Sequence, residues 1–210
     1  MDVHEAIFKR KSVRDFQRRA IDEKTIKKIL DAGLHAPSHN HMREWEFVVV
    51  QDQQTRLNLI DKVQKHFTRE EVEAWLDSCG STDPIQRESY LIAVPKQYKM
   101  LLEAACIILP CFRQPWPLLK PDSLSALNPF ASIWCCIENI LIAAAAEGIY
   151  GVTRIPMGAE IEHIKKVIKC PSDYEIPCYL ALGYPSDDMS GIEPYPVKVE
   201  EKIHWNSWLV

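Results

Sequence analysis

Three side chains suited to binding an anion stand at alternate positions near the start of the chain, Arg10, Ser12 and Arg14, in the stretch FKRKSVRDF. Residues two apart share one side of an extended chain but lie about 200° apart around a helix. In an extended segment the two guanidinium groups stand about 13 Å apart. That spacing suits a long anionic ligand with a phosphate at one end, because a guanidinium fork can bind phosphate through two hydrogen bonds. A solvated basic turn is the alternative that these residues alone leave open.

Three histidines, His35, His39 and His41, cluster in HAPSHNH and have the composition of a metal site. Pro37 prevents a continuous helix that would align them, and no Cys or acidic partner completes a ligand set. We therefore expect no metal, and imidazoles beside a ligand-binding loop are the simpler interpretation.

The elements that must position these residues alternate between helices and strands. Asp2 and Glu5 have the spacing of an N-cap and its reciprocal partner, which predicts a short helix to about Lys9 followed by an extended segment. Asp22 is expected to cap a second helix. The remaining predicted elements are a buried strand in WEFVVVQD, a helix in TRLNLIDKVQKHF, a buried strand in LEAACIILPCF, a loop in RQPWPLLKPD, a helix in NPFASIWCCIENILIAAAAEGI, a helix in EIEHIKKVIKC and a strand in PCYLALGYP.

The long helix is apolar nearly all round and is expected to be central. Its neighbours Cys135 and Cys136 point about 100° apart and are interpreted as core thiols rather than a redox pair. Residues 67 to about 98 show no sustained period and are interpreted as a variable insertion. Residues from about 186 to 210, which include Pro194, Trp205 and Trp208, are typical of an extended C-terminal arm. Alternating helices and strands without a repeat predict one α+β or α/β domain over residues 1–210.

The composition limits the class of protein. The 210 residues are 47% hydrophobic and 26% charged, as in soluble globular domains. The net charge of −4 provides no general attraction to nucleic acid or an anionic membrane. The first residues lack the apolar stretch of a signal peptide, and the most apolar runs are shorter than a membrane span. Seven cysteines without paired CxxC spacing suggest reduced thiols, so a cytoplasmic protein is expected.

Four blocks of the sequence resemble the FMN-dependent nitroreductase family from end to end: RKSVRDF, APSHNHMREWEFVVV, AAAAEGIYGVTRIPMG, and LALGYP followed by VEEKIHWNSW. The resemblance implies an α+β fold in which helices flank a central mixed sheet, and a homodimer with an extended C-terminal arm. It also implies one FMN at each of two sites built from both subunits. In the implied ping-pong cycle NAD(P)H reduces FMN before a second substrate reoxidises it.

The resemblance also assigns roles to individual residues. Arg10 and Ser12 hold the phosphate end of FMN, and Arg14 reaches the pyrimidine edge, where a fixed cation stabilises reduced flavin. Met157 and Gly158 are the candidates for presenting a backbone N–H to flavin N5. The cofactor-binding residues implied in this way are Arg10, Lys11, Ser12, Arg14, Pro37, Ser38, Asn40, His41, Arg43, Pro156, Met157, Gly158 and Lys198.

The chain departs from the family pattern in two places. Either Asn40 or His41 takes the position of the usual Asn, and Arg43 replaces a more common residue, so it adds a cation near the flavin or near a substrate carboxylate. The usual basic pair of the C-terminal arm is absent, with only Lys198 nearby. The phosphate site therefore depends more heavily on Arg10.

Three functions are compatible with these features. The first is an FMN oxidoreductase that uses NAD(P)H on nitroaromatics, quinones or related acceptors. The second is a flavin-binding carrier or sensor without turnover, and the third is a histidine-bound metal hydrolase. The chain lacks a G-x-G-x-x-G fingerprint, so the nicotinamide is expected to stack transiently on the flavin. Trp116, on its proline-rich loop, is a better candidate than Trp134 for lining the substrate pocket.

Overall fold

The structure is a computed structural model, and it describes residues 1–189 and 196–208. Eight helices lie in these residues: α1 Val3–Lys9, α2 Glu23–Leu34, α3 Gln53–Leu59, α4 Arg69–Ser78, α5 Pro84–Ala93, α6 Gln97–Glu103, α7 Asn128–Ala146 and α8 Glu160–Ile168. The strands are β1 Trp45–Val50, β2 Cys106–Arg113, β3 Tyr150–Arg154, β4 Tyr174–Glu175 and β5 Tyr179–Gly183. Short 3₁₀ turns lie at His39–His41, Val94–Lys96, Leu124–Leu127 and Val199–Lys202. The predicted α+β class is confirmed.

The five strands form one sheet in the order β1-β2-β5-β3, with β4 paired to β2. The strand pairs are antiparallel. A parallel bridge between Ser12 and Gly151 adds the segment after α1 to the β3 edge and gives the sheet its mixed character. The N-terminal segment is therefore part of the sheet and not a solvated turn.

The core lies on both faces of this sheet. Alternate residues of β2 point to opposite sides. Ile107 and Leu109 pack against α3, α6 and α8, whereas Cys106 and Ile108 pack against α2 and α7. The fold is therefore a three-layer arrangement of helices, sheet and helices.

Helix α7 packs closely on α2. A Cβ atom added at Gly33 would stand 2.6 Å from Cγ1 of Ile140, so the glycine allows the two helices to approach. Helix α7 is central, as expected, since it packs against α2 and the sheet, but one side of it is open: Cys135 and Glu138 are exposed and Trp134 is half-buried. Cys135 is thus not a core thiol. Cys136 is one, and burial raises the pKa of its thiol to about 12.

The apolar character of this helix also meets the length and composition of a membrane span. Within residues 1–189 and 196–208, one helical stretch qualifies, Leu124–Ala146, with a mean hydropathy of 1.6. Of the 18-residue apolar window in this stretch, 44% is buried inside the fold, where the helix packs against α2 and the sheet. A core helix of a soluble protein meets the same criteria, so this stretch carries no membrane assignment.

Several predicted elements differ from those observed. Strand β1 is buried fully only at Trp45 and Val50, since it lies at the sheet edge and, among the described residues, pairs with β2 alone. The helix predicted from Thr55 ends at Leu59, where the chain turns. Strand β2 begins at Cys106, after α6. Strands β3 and β4 had no sequence prediction.

Residues 67 to about 98 are helical rather than irregular. Thr68 and Glu71 form a reciprocal capping box that begins α4, and Asp83 caps α5. The two helices pack around a small cluster that includes Val72 and Leu76. Their periodicity is obscured because only one or two apolar residues in each helix face this cluster.

The tail contains the short turn Val199–Lys202 and two highly exposed tryptophans, Trp205 and Trp208. Pro194, which contributed to the prediction of an extended arm, lies outside the described residues. The arm therefore remains a prediction.

Candidate functional site

The residues Arg10 to Arg14 follow directly from the end of α1. Arg10 is the C-cap of that helix, and its backbone N–H donates to the Ala6 carbonyl. Val13 is buried, and its N–H donates to the Gly151 carbonyl at 3.2 Å. This pairing extends the chain along β3, so the predicted extended conformation is confirmed at Ser12 and Val13.

Arg10 and Ser12 line a pocket of about 210 Å³ between this segment, β3 and α7. Helix α7 contributes Trp134 and Glu138 to its wall, and β3 contributes Thr153. Trp134 lines this pocket, whereas Trp116 lies outside it and donates its indole N–H to the Ala126 carbonyl at 2.9 Å. The preference for Trp116 in a substrate pocket stays a prediction.

Glu138 was missed by sequence reasoning. Its Oε1 lies 3.4 Å from Nε of Arg10, and the two form an ion pair inside the pocket. One available signal was its position four residues after Trp134, which places both on one side of a helix that is otherwise mostly apolar.

Arg14 is a half-buried cation beside the same sheet edge. Burial lowers the pKa of its guanidinium, which still carries its charge at neutral pH. Its neighbour Asp15 accepts a hydrogen bond from Nζ of Lys96 at 2.6 Å. Among residues 1–189 and 196–208, Arg14 has no hydrogen-bond or ion-pair partner. A half-buried guanidinium whose charged neighbour Asp15 is engaged by Lys96 is suited to an electron-rich ligand.

The segment that contains Pro156, Met157 and Gly158 continues directly from β3. Because the Ser12–Gly151 bridge is parallel, the chain runs from Ser12 towards Arg14 in the direction in which β3 runs towards this segment. Met157 is 56% exposed, and Gly158 has a φ of 52° with open space at its Cβ position. The structure thus brings the first and third blocks to one edge of the sheet.

A buried ion pair joins the two ends of the segment that contains Pro156, Met157 and Gly158. Arg154 binds Glu160 through both terminal nitrogens, with Nη2 donating to Oε1 at 2.8 Å, and its Nε donates to Oε1 of Gln97 at 2.9 Å. The side chains of Arg154 and Glu160 are 5% and 7% exposed. Sequence reasoning missed this pair. A charge at each end of the turn between β3 and α8 was the available signal.

The second block forms a compact loop after α2. The hydroxyl of Ser38 accepts a hydrogen bond from the Arg43 N–H at 3.2 Å, and Nε of Arg43 donates to the Leu34 carbonyl at 2.9 Å. Asn40, His41 and Arg43 have φ values of 51°, 58° and 47°, in the left-handed region that few side chains favour. Pro37 and His41 are exposed. That either Asn40 or His41 takes the position of the family's usual Asn remains a prediction.

Within a single chain, the second-block loop does not reach the pocket of Arg10 and Ser12. The loop is anchored on α7 by a hydrogen bond from the His39 N–H to Oγ of Ser132 at 3.0 Å. Ser132 lies two residues, or about 200° around the helix, from Trp134 at the pocket. Helix α7 therefore stands between the second block and the first.

Two predicted residues lie apart from both groups. Lys11 is exposed and does not line the pocket, and Lys198 is exposed at the start of the turn Val199–Lys202. In the described ranges, no group of three or more His, Cys, Asp or Glu side chains could hold a metal ion.

A model of the Nitroreductase family matches residues 7–184 of the chain. The chain belongs to this family. A similar sequence is a protein named NADH dehydrogenase from Thermus thermophilus, 24% identical over 221 residues that span 98% of this chain and 96% of the relative. The predicted family is confirmed, and with it the oxidoreductase class.

Two solved structures share the fold. A BluB-like flavoprotein from Clostridium difficile 630 has a TM-score of 0.72 at 21% identity, covering 99% of this chain and all of the other. An iodotyrosine deiodinase bound to FMN and 3-iodo-L-tyrosine has a TM-score of 0.70 at 20% identity, with coverage of 99% and 100%. The prediction of FMN is thereby confirmed at the level of the family. The names also show that reactions differ among proteins of this fold.

Proposed function

We propose that this protein is an FMN-dependent oxidoreductase of the cytoplasm in which NAD(P)H is the reductant and nitroaromatics, quinones or related compounds are acceptors. The observation that carries the proposal is Arg14, which is half-buried and has no hydrogen-bond or ion-pair partner among the described residues, at the sheet edge that also holds the pocket of Arg10 and Ser12. Membership of the Nitroreductase family is the reason to propose FMN as the ligand of these residues.

The residues present fit FMN. The pocket supplies a guanidinium and a hydroxyl for the phosphate, and Arg14 supplies a separate cation for the pyrimidine end. The exposed turn at Met157 and Gly158 offers backbone N–H groups at the end of β3. When bound, FMN would supply the two-electron chemistry between NAD(P)H and the acceptor in the proposed ping-pong cycle.

In the proposed assembly, a homodimer completes each site with the second block of the partner chain. Supporting this, α7 separates that block from the pocket within one chain. The exposed Trp205 and Trp208 and the half-buried face of α7 at Trp134 offer apolar surface for a second copy. Arg43 then adds a cation near the flavin or a substrate carboxylate.

The test begins with the purified full-length protein, which we expect to be yellow with about one FMN per chain. Anaerobic NADH or NADPH should bleach the bound flavin, and a stopped-flow survey of nitroaromatics and quinones should then identify the fastest oxidant. A colourless protein that takes up no added FMN would remove the proposal. If flavin binds but neither nucleotide bleaches it, the protein is a flavin carrier or sensor.

A further inference from the structure

The pocket that holds Arg10 also holds a carboxylate, Glu138, which the proposed function does not use. The two side chains form an ion pair at 3.4 Å, and each is partly open to solvent, with 35% of Arg10 and 51% of Glu138 exposed. A phosphate that enters this pocket requires the same guanidinium. Glu138 and the phosphate therefore carry the same sign of charge and share one cation.

We propose that Glu138 competes with the cofactor's phosphate for Arg10 and thereby sets how strongly the site selects FMN over flavin without a phosphate. The inference rests on the proposed function, since it assigns the phosphate of FMN to this pocket. It names Glu138 as a residue that determines cofactor specificity.

Glu138 could either orient Arg10 for the phosphate or compete with the phosphate for it. The weakness of the ion pair between Arg10 and Glu138 favours competition. Exposed ion pairs contribute little to stability, so the gain from having Glu138 orient Arg10 is small. The separation of 3.4 Å is also longer than the 2.6 Å between Lys28 and Glu147 near the end of the same helix. Because this ion pair is loose, Arg10 can bind the phosphate, but the ion pair with Glu138 must first break.

The residues that line the pocket increase the effect of this competition on phosphate binding. Among the described residues that line it, Arg10 is the only cation, and Ser12 and Thr153 add only neutral hydroxyl groups. Lys11 is exposed and lies outside the lining. With one cation shared between two anionic groups, removal of the carboxylate charge should favour the phosphate.

The experiment measures the affinity of the flavin-free, full-length protein for FMN and for riboflavin, which lacks the phosphate. Glu138→Gln should bind FMN about two- to fivefold more tightly, the range of a partly exposed ion pair, and should bind riboflavin as the parent does. Glu147→Gln is the matched control, since it breaks an ion pair of α7 with Lys28 outside the pocket, and it should leave both affinities unchanged.

A double-mutant cycle tests the role of Arg10. In an Arg10→Ala background, Glu138→Gln should lose most of its gain because the shared cation is gone. The inference is overturned if Glu138→Gln leaves FMN affinity unchanged or weakens it, if it changes riboflavin affinity equally, or if the full gain persists without Arg10. A parent protein that binds neither flavin contradicts the proposed function instead.

Discussion

At the scale of single residues, the two arginines of the first block lie in different environments. Arg10 lines an open pocket and is paired with Glu138, whereas Arg14 is half-buried and unpaired among the residues that the structure describes. In the proposed function they act on opposite ends of one ligand. Substitution of each should therefore affect a different property of the bound flavin.

We expect Arg10→Ala to weaken FMN binding roughly 10- to 100-fold, since a charge-assisted hydrogen bond is worth about 1.5–3 kcal/mol. The midpoint potential should hardly change, because the phosphate is the same in both redox states. Arg14→Ala should retain oxidised FMN nearly as well but lower the potential, because it removes a cation that favours the reduced state. Both are read from flavin titration and spectroelectrochemistry.

The variants serve as controls for each other. An unchanged potential in Arg14→Ala, or an equal shift in Arg10→Ala, would mean that the first block lies on the flavin in a different orientation.

The roles of these residues can be predicted from the sequence only where the residues that interact lie close together along the chain. The alternation of Arg10, Ser12 and Arg14 is local, so their extended conformation could be predicted. Glu138 reaches Arg10 only because α1 packs against α7, a contact between residues 128 apart that no short pattern reveals. Identifying it required the tertiary structure.

At the scale of elements, the turn between β3 and α8 depends on the buried pair Arg154 and Glu160. Its exposed residues, such as Ile155 and Met157, bury little apolar surface of their own. The ion pair and the bond from Arg154 to Gln97 therefore fix both ends of the turn and connect it to α6. This turn presents the backbone that the proposal assigns to flavin N5.

Glu160→Gln should destabilise the fold by about 3–5 kcal/mol, because it leaves the buried Arg154 without a countercharge. The measurement is the free energy of unfolding from urea denaturation. Glu162→Gln is the matched control in the same helical turn. Its side chain is exposed, so it should change stability by less than about 0.5 kcal/mol.

Equal effects of the two substitutions would show that the buried pair contributes nothing particular to the turn.

The elements themselves were unequally predictable. Helices α2 and α8 have clear caps or apolar periodicity and occur close to their predicted positions. Strand β3 was missed because it follows α7 after only Glu147 to Ile149, and its short run is continuous with an apolar helix. Its strand conformation comes from pairing with β5 and with Ser12, which are distant in sequence.

At the scale of the whole molecule, apolar surface remains exposed on the single chain. Trp205 and Trp208 are 77% and 80% exposed, and Phe8 of α1 is 83% exposed. Contiguous exposed apolar surface of this kind marks an interface, whereas single exposed side chains are common. The proposed homodimer therefore predicts that these three side chains are covered together in the assembly.

Deletion of residues 194–210 should then weaken both the dimer and FMN retention, because the segment carries two of these tryptophans. Sedimentation velocity gives the oligomeric state, and absorbance gives the flavin content. A truncated chain that stays a flavin-loaded dimer would show that the arm serves neither purpose.

The position of α7 between the second block and the pocket has a genetic consequence. If each site combines the pocket of one chain with the second block of its partner, two defective chains can restore one another. Co-expression of an Arg10→Ala chain with a Ser38→Trp chain would place both lesions in one site of each mixed dimer and leave the other site intact. With random pairing, about a quarter of all sites would recover full flavin affinity. Recovery that does not exceed the two variants expressed separately would place the whole site within one chain.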